Sequence, residues 1–255
     1  MSLKEISEIA LPVLRHARQI ALEARELEIS VKANRNDLVT QVDREIENYV
    51  AKELIALTGY KMMGEESHSV EDFRGRVWVL DPIDGTMNYV ATGRDYAISL
   101  ALLEGGKPIW GCVVDVTKDL FYVAGLGQGA SCNGEPIWEV DSERSFEDAI
   151  IITDIKEICA MPRLANALVH SRGHRRYGSA ALEIVEVAAG RAGAFVHMWV
   201  SPWDIAAATL ICEEAGASVT RLDGTRMDVC PKGSILAGWP NVHQGLLKEL
   251  MINAQ

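Results

Sequence analysis

Apolar residues recur every three to four positions at the start of the chain, which is the spacing of one face of a helix. The pattern predicts a long amphipathic helix over residues 3–28. Its apolar positions are Ile6, Ile9, Val13, Ala17 and Ile20. Residues 29–42 are polar with scattered apolar positions, and we expect a polar hairpin or a mobile loop there. Helical spacing resumes at Asp43 and ends at Gly59, so we predict a second helix between them.

Short apolar runs, of the length of strands, fill the middle of the chain. The runs at residues 60–63 and 77–80 predict two strands, of which the second is buried. Residues 97–126 predict an antiparallel meander, because short turns separate three apolar runs and an Asn133-Gly134 turn follows them.

The second half of the chain alternates strand-like and helical patterns. Strands are predicted at 150–153, 194–198, 218–222 and 235–237, and helices at 155–169, 178–189, 203–215 and 241–251. This alternation indicates a layered α/β half that follows an α+β half. Because the charged residues 139–148 lie between the halves, we predict an N-terminal subdomain over residues 1–145 and a C-terminal subdomain over residues 146–255.

The composition is that of a globular protein and excludes several classes of function. The chain has 255 residues, which is enough for one large core or two joined subdomains. Its net charge of −11, without a basic stripe, argues against nucleic acid as a partner. The N-terminus has no apolar stretch long enough for a signal peptide or a membrane span, so we expect a cytoplasmic protein with no membrane partner. Five cysteines without a CxxC pair argue against a disulfide framework or a zinc site.

The candidate chemistry centres on the stretch from Trp78 to Tyr89, WVLDPIDGTMNY. Pro82 fixes its own φ and pushes Asp81 towards extended geometry, so the turn is stiff and the carboxylates of Asp81 and Asp84 can face one point. A helix that starts near Thr86 would add free N–H groups for an anion. Carboxylates beside an anion site fit divalent cations between them, as in a metal-assisted phosphatase. The alternative is a simple turn, because Asp-Pro and Asp-Gly pairs are common in turns.

Other carboxylates occur at the boundaries of predicted elements and could complete a metal site. Glu65 and Glu66 follow a predicted strand, where the alternative is a solvated loop. Asp204 and Asp43 each begin a predicted helix, where the alternative is a capping or first-turn acid. Two hard cations that bridge a phosphate need about four or five carboxylate ligands, so the whole set meets the requirement better than any one member does.

The chain resembles the inositol monophosphatase family of magnesium-dependent, lithium-sensitive sugar phosphatases. The resemblance is carried by GEES at residues 64–67, by the WVLDPIDGTMNY stretch, by WDIAAA at residues 203–208 with EAG at residues 214–216, and by an N-terminal signature from Lys32 to Asp43. The motifs span most of the chain in the family's order. The resemblance implies a layered αβαβα sandwich of the inositol monophosphatase and fructose-1,6-bisphosphatase type, and a homodimer. It also implies an enzyme that hydrolyses inositol monophosphate, or a related sugar or polyol phosphate, by metal-assisted attack of water.

The resemblance further implies a magnesium site with two or three Mg²⁺ ions per subunit. Glu65, Asp81 and the backbone carbonyl of Ile83 would hold the first ion. Asp81, Asp84 and Asp204 would hold the second, so that Asp81 bridges the two. A third, weaker ion would lie near Glu65 and be held largely by water.

The remaining implied roles concern catalysis and the substrate. Thr86, hydrogen-bonded to Asp43, would orient or deprotonate the attacking water beside the first ion, so Asp43, Glu65 and Thr86 are the implied catalytic residues. The backbone N–H groups of Gly85 and Thr86 would hold the phosphate, and Lys32 would lie in a loop that closes over the metals. The substrate would also contact Asp84, Asp204, Gly178, Ser179 and Ala180. The alternative for the last three is the start of a helix.

One position departs from the family's pattern. In the animal inositol enzymes a glutamate seven residues before the helix-start aspartate binds a substrate hydroxyl, and His197 stands at that place here. His197 is either a buried strand histidine or part of the pocket. Because a protonated histidine is a donor only, we expect substrates with an additional anionic group to compete well with a simple inositol phosphate. Three arginines could add to that preference if their loop reaches the pocket: Arg172, Arg175 and Arg176.

Two alternative functions remain open at this point. Relatives of the same fold act on fructose 1,6-bisphosphate, NADP, 3′-phosphoadenosine 5′-phosphate or histidinol phosphate, and the sequence does not choose among these substrates. A rival of another class is a regulatory binding protein that keeps the fold without catalysis. The presence of every implied metal carboxylate and of Thr86 argues against this rival.

Overall fold

The computed structural model describes the backbone of residues 1–31, 35–70, 72–138 and 140–251, and the side chains of these residues except 25–40 and 251. The helices are α1 Leu3–Val31, α2 Arg35–Thr58, α3 Thr86–Ala91, α4 Ile155–Ala160, α5 Pro162–His170, α6 Ala180–Ala188, α7 Pro202–Glu214 and α8 Pro240–Met251. The strands are β1 Lys61–Gly64, β2 Arg76–Asp84, β3 Ala97–Glu104, β4 Lys107–Asp115, β5 Leu120–Gly125, β6 Ala130–Cys132, β7 Glu135–Pro136, β8 Ile150–Ile152, β9 Gly173–Arg175, β10 Ala194–Val200, β11 Ser218–Thr220 and β12 Gly233–Gly238.

The two N-terminal helices are longer than their apolar patterns predicted. The polar stretch 29–42 was expected to be a hairpin or a loop, but α1 continues to Val31 and α2 already begins at Arg35. This prediction was wrong for most of the stretch, because the two flanking helices extend into it from both sides. Ile6, Leu14 and Ile46 form the buried faces of the two helices.

The larger sheet lies against these two helices. It has seven strands in the order β1-β2-β3-β4-β5-β6-β7, in which β1 and β2 are parallel and the later neighbours are antiparallel. The predicted meander over residues 97–126 is therefore confirmed as β3, β4 and β5. Trp78 of β2 and Trp110 of β4 meet edge to face on the side of α1 and α2, with ring centroids 5.9 Å apart. Both rings are buried, which makes them central to the first layer of the core.

The smaller sheet has five strands in the order β11-β12-β10-β8-β9. Strands β9, β8 and β10 are parallel, and β12 is antiparallel to β10 and to β11. The helix predicted over residues 155–169 is divided at Met161 into α4 and α5. Pro162 explains the break, because a proline lacks the backbone donor that a continuous helix needs and disfavours helical geometry in the residue before it.

Helices and sheets stack in five layers. Helices α1 and α2 cover one face of the larger sheet, α6 and α7 lie between the two sheets, and α4, α5 and α8 cover the far side of the smaller sheet. The predicted αβαβα sandwich is confirmed. One cluster of buried apolar side chains runs from Val79 to Leu246 across both halves of the chain, and the division into subdomains near residue 145 stays a prediction. Within the described part of the chain, no helix is both long and apolar enough to cross a membrane.

Candidate active site

Strand β2 carries the two central aspartates at its C-terminal end. On a regular strand, residues three apart point to opposite faces of the sheet. The ladder between β2 and β3 shifts register between Asp81 and Asp84, and this irregularity allows both side chains to serve one site. Both side chains are buried, with 2% of Asp81 and 8% of Asp84 exposed. The Asp81 carboxylate accepts a hydrogen bond from the backbone N–H of Ile83 at 3.1 Å, which fixes the stiff turn.

Gly85 lies between the end of β2 and the start of α3, and it packs against the segment that precedes α6. Its φ of 90° is in the left-handed region, where a side chain is strained. A Cβ atom at Gly85 would lie 3.2 Å from the carbonyl oxygen of Gly178 and 3.2 Å from the Cβ of Ser179. Glycine therefore satisfies both the backbone conformation and the close approach. Thr86 begins α3, a helix of six residues.

The Asp84 carboxylate binds the N-terminus of α6. One of its oxygens accepts hydrogen bonds from the Ser179 hydroxyl at 2.5 Å and from the Ala181 N–H at 2.7 Å, and the other accepts one from the Ala180 N–H at 3.2 Å. The three residues predicted to contact the substrate, Gly178, Ser179 and Ala180, thus lie directly beside the central turn.

Two side chains that the sequence analysis did not select support this corner. Glu183 accepts hydrogen bonds from the N–H groups of Tyr177 at 2.5 Å and Gly178 at 2.8 Å. The Asn88 side chain donates to the carbonyls of Asp95 at 2.7 Å and Tyr177 at 2.6 Å. Asn88 belongs to the stretch quoted above, and its position two residues after Thr86 was the available signal. Glu183 gave none, because its partners are backbone groups.

The other predicted carboxylates reach the site from three different elements. Asp43 lies in the third turn of α2 and is 4% exposed. Glu65 directly follows β1, and although the residue as a whole is exposed, burial still acts on its carboxyl group. Asp204 lies in the first turn of α7, where its carboxylate accepts a hydrogen bond from the Ser201 N–H at 2.7 Å. Asp204 is therefore a capping acid of α7, as the alternative predicted. The charge of Asp204 also acts on Glu65 and Asp84.

Burial and mutual repulsion raise the pKa values of these carboxyl groups. The pKa of Asp81 lies well above its usual range because the group is buried and faces the charges of Asp84, Glu65 and Asp204. Burial, followed by the charges of nearby glutamates, raises the pKa of Asp43 to about 8. Burial and the charge of Asp204 raise the pKa values of Glu65 and Asp84 to about 7. The five groups form one cluster of acids whose negative charges repel one another.

Positive charge reaches this cluster at one end. Burial raises the pKa of Asp204, while the Ser201 N–H and the charges of His197 and Lys232 act in the opposite direction. The Lys232 ammonium lies 5.3 Å from the centroid of the Trp203 ring. Among the described residues, the charges that act on Asp81 are all negative, which is the charge distribution of a site that binds cations.

His197 lies on β10 and is intermediate between buried and exposed. Its side chain is 30% exposed, so the alternative of a fully buried strand histidine does not hold. Its Nδ1 atom accepts a hydrogen bond from the Trp199 N–H at 3.1 Å and lies 3.5 Å from a carboxylate oxygen of Glu157. The other ring nitrogen, Nε2, has no hydrogen bond within the residues that the structure describes. Its environment permits a contact with a ligand.

Two predicted features are not found as expected. The Thr86 hydroxyl donates to the carbonyl of Ile83 at 3.2 Å, and no hydrogen bond between Thr86 and Asp43 occurs in the described structure. Lys32 lies outside the described residues. The basic cluster is largely engaged elsewhere, since Arg176 pairs with Asp154 at 2.5 Å and Arg172 lies 3.7 Å from Asp148.

The donor set fits hard divalent cations. Carboxylate and carbonyl oxygens are the ligands that Mg²⁺ prefers, and the repulsion among the carboxylates is the electrostatic signature of a cation site. Across the residues described, no group of three or more metal-binding side chains is already arranged around one point. Asp84 accepts hydrogen bonds from the start of α6 and Asp204 accepts one from the Ser201 N–H, and each carboxylate keeps further lone pairs for an ion.

Comparisons with known proteins agree with the fold and with the site. The model of the inositol monophosphatase family matches residues 2–255. An inositol-1-monophosphatase of Bacillus subtilis (strain 168) is 36% identical over 257 residues, which cover 97% of this chain and 97% of the relative. The crystal structure of inositol monophosphatase-II from Staphylococcus aureus MSSA476 has a TM-score of 0.90 at 30% identity, and covers 96% of this chain and 93% of its own.

A further solved structure, of an IMPase/NADP phosphatase complexed with Mg²⁺ and phosphate, has a TM-score of 0.77 at 31% identity and covers 84% of this chain and 82% of its own. Together with the five-layer sandwich, these similarities define the class of the protein as a phosphoric monoester hydrolase. Within this class, the chain belongs to the inositol monophosphatase family. The resemblance drawn from its motifs is confirmed.

Proposed function

We propose that this protein is a Mg²⁺-dependent phosphatase that hydrolyses inositol monophosphate or a closely related sugar phosphate in the cleft around Asp81. The observation that carries the proposal is that acids from four separate elements meet closely enough for their charges to act on one another: Asp43, Glu65, Asp81, Asp84 and Asp204. A protein gains nothing in stability from such repulsion, so the cluster is best explained by cations that it binds.

Glu65, Asp81 and the Ile83 carbonyl would hold one Mg²⁺ ion, and Asp81, Asp84 and Asp204 a second. When bound, these ions would neutralise charge on the phosphate and lower the pKa of a bound water molecule towards neutral pH. The count of two ions, with a third weaker one near Glu65, belongs to the proposal.

The chain's own residues then bind and orient the substrate. The N–H groups of Gly85 and Thr86 would hold the phosphate oxygens, and the left-handed backbone of Gly85 supports this role. The Thr86 hydroxyl would turn from the Ile83 carbonyl to the attacking water, and Asp43 would accept its hydrogen bond or its proton. Asp43 can act as an acceptor only as a carboxylate, and nearby cations would favour that form by lowering the pKa that burial raises in the metal-free protein.

His197 would select among substrates. With Nδ1 occupied by the Trp199 N–H, a neutral ring carries its proton on Nε2 and presents a donor. This chemistry favours an acceptor, such as a second anionic group, over the hydroxyl donor that a glutamate would bind. The similarity to an IMPase/NADP phosphatase makes a nucleotide phosphate such as NADP a specific alternative substrate.

The test is release of inorganic phosphate from inositol 1-phosphate, fructose 1,6-bisphosphate and NADP, with Mg²⁺ and with a strong chelator. We expect turnover only with Mg²⁺, and inhibition by Ca²⁺, which is larger and less strict in its geometry. Full activity in the chelator would contradict the metal role. Absence of turnover on every phosphomonoester would favour the regulatory binding protein instead.

A homodimer in the cytoplasm completes the proposal, with no nucleic acid and no membrane as partners. The net charge of −11 supports the exclusion of nucleic acid. Light scattering at micromolar concentration measures the assembly, and a monomer there would contradict it.

A further inference from the structure

The loop that carries Glu65 is wrapped around the side chain of another glutamate, Glu47 of α2. Glu47 is fully buried and lies four residues after Asp43, so the two side chains are on the same face of the helix. One Glu47 oxygen accepts a hydrogen bond from the Glu66 N–H at 2.9 Å. The other accepts from the Ser67 N–H at 2.8 Å and from the His68 N–H at 3.0 Å.

Two side chains add further hydrogen bonds to the same oxygen. The Ser67 hydroxyl lies 2.6 Å away and His68 Nδ1 lies 2.7 Å away. The loop is closed by a hydrogen bond from the Gly64 N–H to the His68 carbonyl at 2.8 Å. Three successive N–H groups converge on one carboxylate, which is a backbone anion nest filled by the protein itself.

Gly64 shows how tightly the loop encloses this carboxylate. A Cβ atom at Gly64 would lie 2.3 Å from the Cδ of Glu47, which is closer than any real contact. The backbone of the loop can therefore reach Glu47 because residue 64 has no side chain. Glu65 is the residue between this contact and the Glu66 N–H, so both of its neighbours in the chain lie against Glu47.

We propose that Glu47 is a positioning residue for the metal site: it fixes the Gly64–His68 loop and thereby places Glu65 for cation binding. The inference rests on the proposed function, because it assigns Glu65 as a metal ligand. Removal of a group that orients a metal-binding side chain commonly weakens metal affinity by about tenfold to a hundredfold. The role does not require Glu47 to touch either an ion or the substrate.

The experiment measures Mg²⁺ binding to chelator-treated protein by isothermal titration calorimetry, with Mg²⁺ as the only ligand. In Glu47→Gln, an amide N–H₂ group would face the loop's N–H donors, and we expect the Kd for Mg²⁺ to rise about tenfold or more. Glu45→Gln is the matched control, because this exposed residue on α2 loses the same charge without facing the loop. We expect its Kd to stay within about twofold of the wild type.

Two further readouts separate positioning from charge and from general destabilisation. At saturating Mg²⁺ the kcat of Glu47→Gln should recover to within about threefold of the wild type, because all proposed ligands are intact. Glu47→Asp keeps the charge but shortens the side chain, and we expect it to bind Mg²⁺ as weakly as the Gln variant. Wild-type affinity in Glu47→Asp would show that charge alone matters and would overturn the inference.

Ser67→Ala keeps the test decisive if the Glu47 variants do not fold. It removes the 2.6 Å hydrogen bond from an exposed residue, and we expect a rise in Kd of about threefold. An unchanged Kd in every folded variant would overturn the inference while leaving the phosphatase proposal intact. A wild-type protein that binds no Mg²⁺ would overturn the proposed function itself.

Discussion

Asp43 and Glu47 lie one turn apart on the same face of α2, are both buried, and differ in what surrounds their carboxylates. Burial, together with the charges of nearby glutamates, raises the pKa of Asp43 to about 8. Burial acts on Glu47 as well, but hydrogen bonds from Ser67, His68 and Glu66 outweigh it and hold its pKa below the usual range. The carboxylate with enough donors stabilises the fold, and the carboxylate without them is left for a ligand.

The same contrast separates the two ends of the candidate site. Asp84 and Asp204 each accept hydrogen bonds at the N-terminus of a helix, whereas no hydrogen-bond donor to Asp43 is found among the described residues. Asp81 accepts a hydrogen bond from the Ile83 N–H and faces four neighbouring acids. Repulsion is therefore greatest where the proposed ions would share a ligand.

The largest expected effect is that of Asp81→Asn, which removes the charge shared by two proposed cations. We expect kcat/KM for inositol 1-phosphate to fall by about a thousandfold, since such ions contribute several kcal/mol to the transition state. The same change removes the repulsion between Asp81 and the neighbouring acids, so the Tm of the metal-free protein should rise. An active variant, or one with a lower Tm without metal, would contradict the role of Asp81 as a repelled acid that binds cations.

The second prediction compares Asp43→Asn with Glu47→Gln in the absence of metal. Glu47→Gln should lower the free energy of unfolding by about 3 kcal/mol, because it leaves several buried donors without a charged acceptor. Asp43→Asn should leave the stability equal or higher at pH 8, because it removes a charge that is poorly solvated. Urea denaturation at pH 8 measures both values, and equal losses in the two variants would refute the distinction.

The third prediction concerns pH. The folded-state pKa values of Asp43, Glu65 and Asp84, at about 8, 7 and 7, lie above the usual value near 4 for an unfolded chain. At pH values between the unfolded-state and folded-state pKa values, the folded protein binds more protons than the unfolded one. The free energy of unfolding therefore falls as pH rises from 5 to 8.

Mg²⁺ should reverse this loss, because it replaces the protons that the cluster binds at low pH. We expect the Tm of the metal-free protein to fall by about 5 °C between pH 5 and pH 8, and saturating Mg²⁺ to restore it at pH 8 much more than at pH 5. Differential scanning fluorimetry measures the Tm at both pH values, each with Mg²⁺ and with a chelator. An equal Mg²⁺ effect at both pH values would show that the carboxylates are not linked to the ion.

The smallest expected effect concerns substrate choice through His197. In His197→Glu the ratio of kcat/KM for inositol 1-phosphate over NADP should rise about tenfold, equivalent to about 1.4 kcal/mol. His170→Glu is the control, since that exposed histidine on α5 bonds only within its own helix. An unchanged ratio in the folded His197 variant would place this residue outside the pocket and leave inositol phosphate as the default substrate.

The sequence by itself determined the class of fold, the meander and the residues of the central turn. These follow from local rules: apolar spacing distinguishes helix from strand, and Pro82 and Gly85 limit the backbone on both sides of Asp84. The same rules misjudged the polar stretch between α1 and α2 and the break at Met161. In the first case the neighbouring helices extend into the stretch, and in the second a single proline interrupts the helical pattern.

Only the tertiary structure decided which carboxylates are stabilised by hydrogen bonds. Asp43 and Glu47 look alike in the sequence, four residues apart on one helix. Their difference arises from the Gly64–His68 loop, which returns from β1 to surround one carboxylate and not the other. Hydrogen bonds from backbone groups carry no signature in residue type, and charges that repel across β2, α2 and α7 are distant along the chain. The pKa of a carboxyl group depends on such neighbours, so the division between structural and functional acids appears only once the chain is folded.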